Sequence, residues 1–319
     1  MLPSSNIDAE VSTSSRIPPT RLSKHPPPDH TDKTRWYNAI DEEDDVTEPT
    51  ILTKRMIEQV FDDTAASYDR VGPSFFSQFG GRLIERITLA RGSRVLDIAT
   101  GKGAVLLPAA RRVGSKGQVT GIDLSGEILK EAEQIISAEG LTNVTFHKMD
   151  AEHLQFPDHA FDVVTCGFAL QLFPDMPKAL REMYRVLKPG GCVAMTVFNK
   201  TPPPFDPGMS VAMRQAVAYG VGLHLPPQVG YTPKEVETVL DQSGFHSVEM
   251  HSETNDMVYA SLEDWWAFAL TLPPRATFFS MSDETRVRFK DEYLGKLRAM
   301  LREDGLHISI GVVYALAKR

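Results

Sequence analysis

The chain has 319 residues, a formal net charge of −8, 42% hydrophobic residues and 24% charged ones. That is room for one large α/β domain with insertions, or two modest domains, around a substantial core. The acidic balance, with no Lys/Arg cluster, counts against a nucleic-acid partner. No apolar run reaches the ~18 residues of a membrane span.

Residues 1–49 differ from the rest. They hold Pro18-Pro19, Pro26-Pro27-Pro28, many Ser and Thr, and the acidic run Asp41–Asp45. Such a segment cannot bury enough apolar surface to offset its ordering entropy, so a disordered tail is expected. A docking arm around Trp36-Tyr37 is the alternative. Met1–Glu10 has no basic n-region or apolar h-region, so a cytoplasmic location is expected. The two cysteines, Cys166 and Cys192, lack metal-ligand spacing and read as reduced thiols.

From Ile51 the pattern turns periodic. Apolar spacing predicts helices over 51–66 and 75–89. A strand is expected over 94–99, a helix over 103–113, a strand over 118–122, and a helix over 125–138 with Ser125 as N-cap. Strands follow over 144–149 and 161–166, then a helix over 176–187 stopped by Pro189-Gly190-Gly191, and a strand over 193–198. Strands alternating with helices predict a parallel sheet covered on both faces, with ligands bound beyond the strands' carboxyl ends. The rhythm breaks after Asn199. Helices over 211–221 and 233–243, a strand over 245–250, an aromatic insertion, a helix over 283–301 and a strand over 308–317 complete the reading.

The strongest motif is Val95-Leu96-Asp97-Ile98-Ala99-Thr100-Gly101-Lys102-Gly103, a strand running through a glycine loop into a helix. Glycine lets the backbone pass close to a ligand, and the helix N-terminus offers free N–H groups. A dinucleotide fingerprint would place a third glycine at position 106, where Leu106 stands. Asp97 inside the strand end suits an ammonium better than a pyrophosphate. Asp123, in Gly121-Ile122-Asp123-Leu124-Ser125, ends the next strand and can accept from both hydroxyls of a ribose. Asp150, in Met149-Asp150-Ala151, can accept from an adenine amino group at the third strand end. Gly167 puts a small residue where the fourth strand meets the cleft.

Together these segments resemble the class I S-adenosylmethionine (SAM)-dependent methyltransferases, in particular the ubiquinone/menaquinone-biosynthesis (type 11) branch. The resemblance covers about 61–198 and includes Ala65-Ala66-Ser67-Tyr68-Asp69, the Asp97–Gly103 loop, Gly121–Ser125, Met149–Val164 and Arg181–Gly191. It implies a Rossmann-like α/β fold with a seven-stranded sheet ordered 3-2-1-4-5-7-6, the last strand antiparallel, and helical cap insertions. It implies SAM contacts at Asp97, Gly101, Lys102, Gly103, Asp123, Leu124, Asp150, Ala151 and Gly167, with Tyr68 covering the cofactor. The expected organisation is a tail over 1–49, a helical cap over 50–90, a SAM-binding core over 91–200, and over 201–319 the rest of the sheet with acceptor-binding insertions. The insertions around 201–230 and 255–303 depart from the branch, so its quinone substrates do not carry over.

Methyl transfer requires an acceptor atom held in line and, for an acidic acceptor, a base. His224 lies in the insertion after the fifth strand and is the candidate base, with Tyr219 and Tyr231 as weaker ones. His147, His153, His246 and His251 read as structural or surface residues. Trp265, Trp266, Phe268, Phe278 and Phe279 either line an apolar acceptor pocket or pack a lid onto the sheet. No His/Cys/Asp cluster suggests a metal, and no Gly-x-Ser-x-Gly suggests a hydrolase. The expected function is SAM-dependent methylation of a small apolar or aromatic metabolite. The alternatives are a nicotinamide oxidoreductase and a non-catalytic SAM-binding protein. Oligomeric state stays open.

Overall fold

The computed structural model describes residues 50–201 and 204–319. The expected tail over 1–49 lies outside them.

Seven long strands build the sheet: β2 (Arg94–Ile98), β3 (Gln118–Asp123), β4 (Val144–Lys148), β5 (Phe161–Gly167), β6 (Leu187–Phe198), β8 (His246–Tyr259) and β10 (Gly305–Lys318). Their spatial order is β4-β3-β2-β5-β6-β10-β8. Numbered one to seven along the chain, that reads 3-2-1-4-5-7-6. Neighbours from β4 through to β6 are parallel, and β10 runs antiparallel to both β6 and β8. The expected seven-stranded sheet gains an eighth short strand, β9 (Leu301–Arg302), which hairpins onto β10. A separate parallel ladder joins β1 (Thr50–Ile51) to β7 (His224–Leu225).

Alternation along each strand splits the core between the two sheet faces. Val95, Val119, Val163 and Val312 point to one face, where α2 (Phe75–Arg86) and α3 (Leu106–Val113) pack. Leu96, Ile98, Val164, Cys166 and Val313 point to the other, against α5 (Met176–Val186) and α7 (Pro233–Gln242). The C-terminal insertion, α8 (Leu262–Ala269), α9 (Arg275–Phe279) and α10 (Asp283–Arg298), joins the first face together with α6 (Gly208–Ala218).

The capping chemistry follows the residues. Ser125 caps α4 (Gly126–Ala138) by accepting from Ile128 N–H at 3.1 Å. Thr232 and Glu235 form a reciprocal capping box on α7. Thr53 caps α1 (Lys54–Thr64), so that helix starts three residues later than its apolar spacing suggests, and Thr50–Ile51 are free to pair with β7.

The largest correction concerns β8. The apolar pattern predicts a strand ending at Met250 and an insertion from about 255, but the strand continues to Tyr259. Residues 251–259 are mostly polar because β8 is the sheet edge and shows a solvated face. What holds them extended is the ladder to the buried apolar run of β10, from Leu306↔Tyr259 to Tyr314↔His251. Strand pairing overrides the missing apolar signal.

Candidate active site

The chain leaves β2 through a tight loop with positive φ at Ala99 (51°), Gly101 (54°) and Gly103 (88°). A left-handed alanine is unfavourable backbone, the kind of local strain that concentrates at functional sites. Beneath the loop lies Asp97, 1% exposed. One of its oxygens accepts from the Thr100 hydroxyl and the other from the Thr165 hydroxyl, each at 2.6 Å. Burial pushes the Asp97 carboxyl up to about 6, against those two hydroxyl bonds. Asp97 lines a small cavity with Tyr68, Asp69, Gly101, Lys102 and Gly167.

Asp123, at the end of β3, ties two loops together. Its Oδ2 accepts from Gly101 N–H at 2.9 Å and its Oδ1 from Ser125 N–H at 3.0 Å. Burial raises its pKa, and the backbone donors oppose the rise. A carboxylate has about four lone-pair sites, so acceptor capacity remains for a ligand. Asp150 follows β4. Its Oδ2 accepts from Lys54 Nζ at 2.7 Å and faces His153 Nδ1 at 3.1 Å, while Oδ1 accepts from Glu152 N–H at 2.9 Å. Burial would raise the Asp150 pKa, but Lys54 and its other partners outweigh it and hold the carboxyl below its usual value. Lys54 also pairs with Glu152.

These strand ends open into one cavity. It encloses about 1880 Å3 of empty space, its open mouth included. Asp123, Leu124, Asp150, Ala151, Gly167 and Tyr68 line one end. Phe205, Met213, Trp266, Phe278 and Phe289 line the other, together with His224. His224 sits in β7, where its N–H donates to Thr277 Oγ1 of α9 at 2.7 Å. Its Nδ1 is buried and has no partner.

The aromatic insertion divides its side chains between packing onto the sheet and the cavity wall. Trp265 and Phe268 are fully buried and pack on Phe205 and Tyr259. Trp266 and Phe278 line the cavity, and Phe279 is exposed. Neither Tyr219 nor Tyr231 lines it.

The family model of the ubiE/COQ5 methyltransferases matches residues 50–219, more than half of the chain. The chain belongs to the ubiE/COQ5 methyltransferase family. This methyltransferase is 37% identical over 182 residues to aklanonic acid methyltransferase DauC of Streptomyces sp. (strain C5), covering 55% of the chain and 79% of the relative. It is 40% identical over 152 residues to demethylmenaquinone methyltransferase of Geobacillus kaustophilus (strain HTA426), covering 46% of the chain and 64% of that enzyme. Among solved structures, phosphoethanolamine N-methyltransferase 2 of Haemonchus contortus shares the fold, with a TM-score of 0.53, 21% identity, and coverage of 84% of this chain and 60% of that one. The chain is thus a SAM-dependent methyltransferase.

The residues present fit SAM. Carboxylates stand at three consecutive strand ends, and Ile128, Met149 and Phe173 add apolar side chains to the wall of the cavity that Asp123 and Asp150 line, a setting for a planar base beside a polyhydroxylated sugar. The one cation of the glycine loop, Lys102, is committed elsewhere. Its Nζ donates to Ala66 C=O at 3.2 Å and lies 3.6 Å from Glu131.

Of the ten residues expected to contact the cofactor, Tyr68, Gly101, Asp123, Leu124, Asp150, Ala151 and Gly167 line the large cavity. Asp97 and Lys102 line only the small one, and Gly103 lines neither. The left-handed φ of Gly103 shapes the turn into α3. Sequence reading missed Lys54, which sits on the polar face of an amphipathic helix and looks like any solvated lysine. It also missed Gln171, on the short turn Leu170–Leu172 after β5.

Proposed function

We propose that this enzyme methylates a small, apolar or aromatic metabolite that occupies the aromatic end of the cavity, with SAM at the strand-end acids. The observation that carries the reading is the continuity of one cavity from Asp123 and Asp150 to His224. The names of the two relatives specify aklanonic acid and demethylmenaquinone as acceptors. A small-molecule acceptor of that class, and not a nucleic acid, suits apolar walls on an acidic chain.

When bound, SAM supplies an electrophilic methyl group on a sulfonium. The chain's own residues bind, orient and exclude water. Asp123 accepts from the ribose hydroxyls through its remaining lone pairs. Asp97, braced by Thr100 and Thr165, provides negative charge for the ammonium end. Asp150 and Ala151 frame the adenine edge, and Leu124, Gly101, Gly167 and Tyr68 form the walls. Lys102 and Gly103 act on the shape of the loop. Trp266, Phe278 and Phe289 hold the acceptor and keep water out, which matters because in-line transfer depends on position. His224 takes the acceptor's proton at an imidazole nitrogen. The two free cysteines suit a reducing compartment, and the cytoplasm is the proposed location.

The test is a labelled-methyl assay with SAM across phenols, quinones and amines. Transfer to at least one aromatic acceptor is expected. Binding of SAM without transfer to any acceptor, including proteins and nucleic acids, would favour a non-catalytic SAM-binding protein.

A further inference from the structure

Gln171 is 4% exposed, lines the cavity, and its Oε1 is buried with no hydrogen-bond partner. The orientation of the amide is set by its Nε2, which donates to Phe168 C=O. A flipped amide would set two carbonyl oxygens against each other. The Phe168 backbone that holds this arrangement is itself unusual, with φ at +53° for a bulky residue. It is clamped there by Phe168 N–H donating to Thr196 C=O at 2.8 Å. A buried oxygen left unpartnered by the protein costs free energy unless the cavity's contents satisfy it.

We propose that Gln171 is a specificity-determining residue that accepts a hydrogen bond from a hydroxyl of the methyl acceptor, so that the enzyme selects hydroxylated aromatic compounds. The inference rests on the reading of the aromatic end as the acceptor chamber. Its location supports the acceptor over the cofactor. Gln228 N–H donates to the Gln171 C=O at 3.2 Å, which binds this turn to the segment that carries His224. His224 Nδ1 is a second buried, unpartnered atom on a residue lining the same cavity. A site built around an unpaired acceptor rejects a ligand that lacks the matching donor more strongly than an apolar pocket rejects a change of size. An amide neither gains nor loses a proton in this range, so Gln171 orients the acceptor and leaves base chemistry to His224.

The experiment is calorimetric titration of the full chain, saturated with S-adenosylhomocysteine, with 1-naphthol and with 1-methoxynaphthalene, which keeps the rings and removes the donor. The wild type is expected to bind 1-naphthol at least tenfold tighter. Gln171→Leu is expected to reduce that preference below threefold while binding S-adenosylhomocysteine within twofold of wild type. Equal binding of the two probes by the wild type, or no binding of 1-naphthol, overturns the proposal, and both readings stand even if Gln171→Leu does not fold. A preference that survives in Gln171→Leu also overturns it, as does a drop in S-adenosylhomocysteine affinity, which would move Gln171 to the cofactor end. Failure of the wild type to bind S-adenosylhomocysteine at all would instead strike the methyltransferase site.

Discussion

Gly80 of α2 lies against Ala104 of the glycine loop so closely that a Cβ on it would stand 2.6 Å from the Ala104 carbonyl carbon. The helix and the loop that covers Asp97 are therefore in backbone contact, and a carbonyl cannot yield as a flexible side chain can. Gly80→Ala is expected to cost about 1–3 kcal/mol as overpacking, and to weaken SAM binding by displacing residues 101–105. Its neighbour Gly81 has open space around it. Gly81→Ala is expected to stabilise the helix by up to about 1 kcal/mol. Thermal unfolding of the two variants checks the pair, and equal melting temperatures would show that the contact does not constrain the loop.

Asp97 predicts a pH dependence. Its folded pKa of about 6 lies above its ordinary value of 3.8, so the folded state binds the proton more tightly than the unfolded chain. Its stabilising effect is complete below pH 3.8 and is lost as pH rises through about 6. Asp97→Asn should flatten that slope and make the ligand-free protein more stable at pH 7, by on the order of 2–3 kcal/mol. If the carboxylate faces the ligand's ammonium, affinity for S-adenosylhomocysteine should fall roughly tenfold per unit below pH 6 in the wild type, and lose that dependence in Asp97→Asn. Denaturant titrations and calorimetry across pH 5–7 read both effects, and parallel profiles for the two proteins would remove Asp97 from the role.

His224→Gln separates proton transfer from binding. Positioned general bases contribute about 10²–10⁴-fold, so turnover should drop by at least about a hundredfold with S-adenosylhomocysteine affinity unchanged. Single-turnover kinetics with a labelled methyl group is the measurement. Wild-type turnover would remove the proposed base and leave the cofactor site standing.

Lys54 fastens α1 across the cofactor end, at Asp150 and Glu152. The lysine is about one-third exposed, and such pairs contribute only about 0–1 kcal/mol to stability. Lys54→Met should therefore shift the melting temperature little. Its effect should appear in dissociation, with S-adenosylhomocysteine leaving several times faster in stopped-flow displacement. An unchanged off-rate would mean that α1 does not retain the ligand.

The acids at the strand ends were legible because each sits at the same place in a repeated strand–loop–helix unit, and the loop glycines mark the turn between them. His224 was legible only as a polar residue in an insertion that had to cover the sheet; the structure places it on the cavity wall. Lys54 and Gln171 were not legible. A lysine on a polar helix face carries no local sign that its partner lies 96 residues away. Gln171 gains its meaning from a left-handed Phe168, which no propensity foretells. The far half of β8 was hidden for the same kind of reason, since its polar residues are held extended by pairing partners 47 to 63 positions on, from Leu306↔Tyr259 to Tyr314↔His251.

Asp123 offers the most direct test of the cofactor site. Its carboxylate binds two backbone N–H groups, so Asp123→Ala also leaves Gly101 and Ser125 N–H without a partner, and some loss of stability is expected. Asp123→Asn keeps the size and one acceptor oxygen and is the cleaner variant. The decisive measurement is calorimetric titration of wild type and Asp123→Asn with S-adenosylhomocysteine and with NAD, folding being checked by circular dichroism. The wild type should bind S-adenosylhomocysteine and not NAD, and Asp123→Asn should bind it at least about tenfold more weakly, as expected for a lost charge-assisted bond to a ribose hydroxyl. Wild-type affinity in a folded Asp123→Asn protein, or binding of NAD in place of S-adenosylhomocysteine, would contradict the assignment of the strand-end acids to SAM.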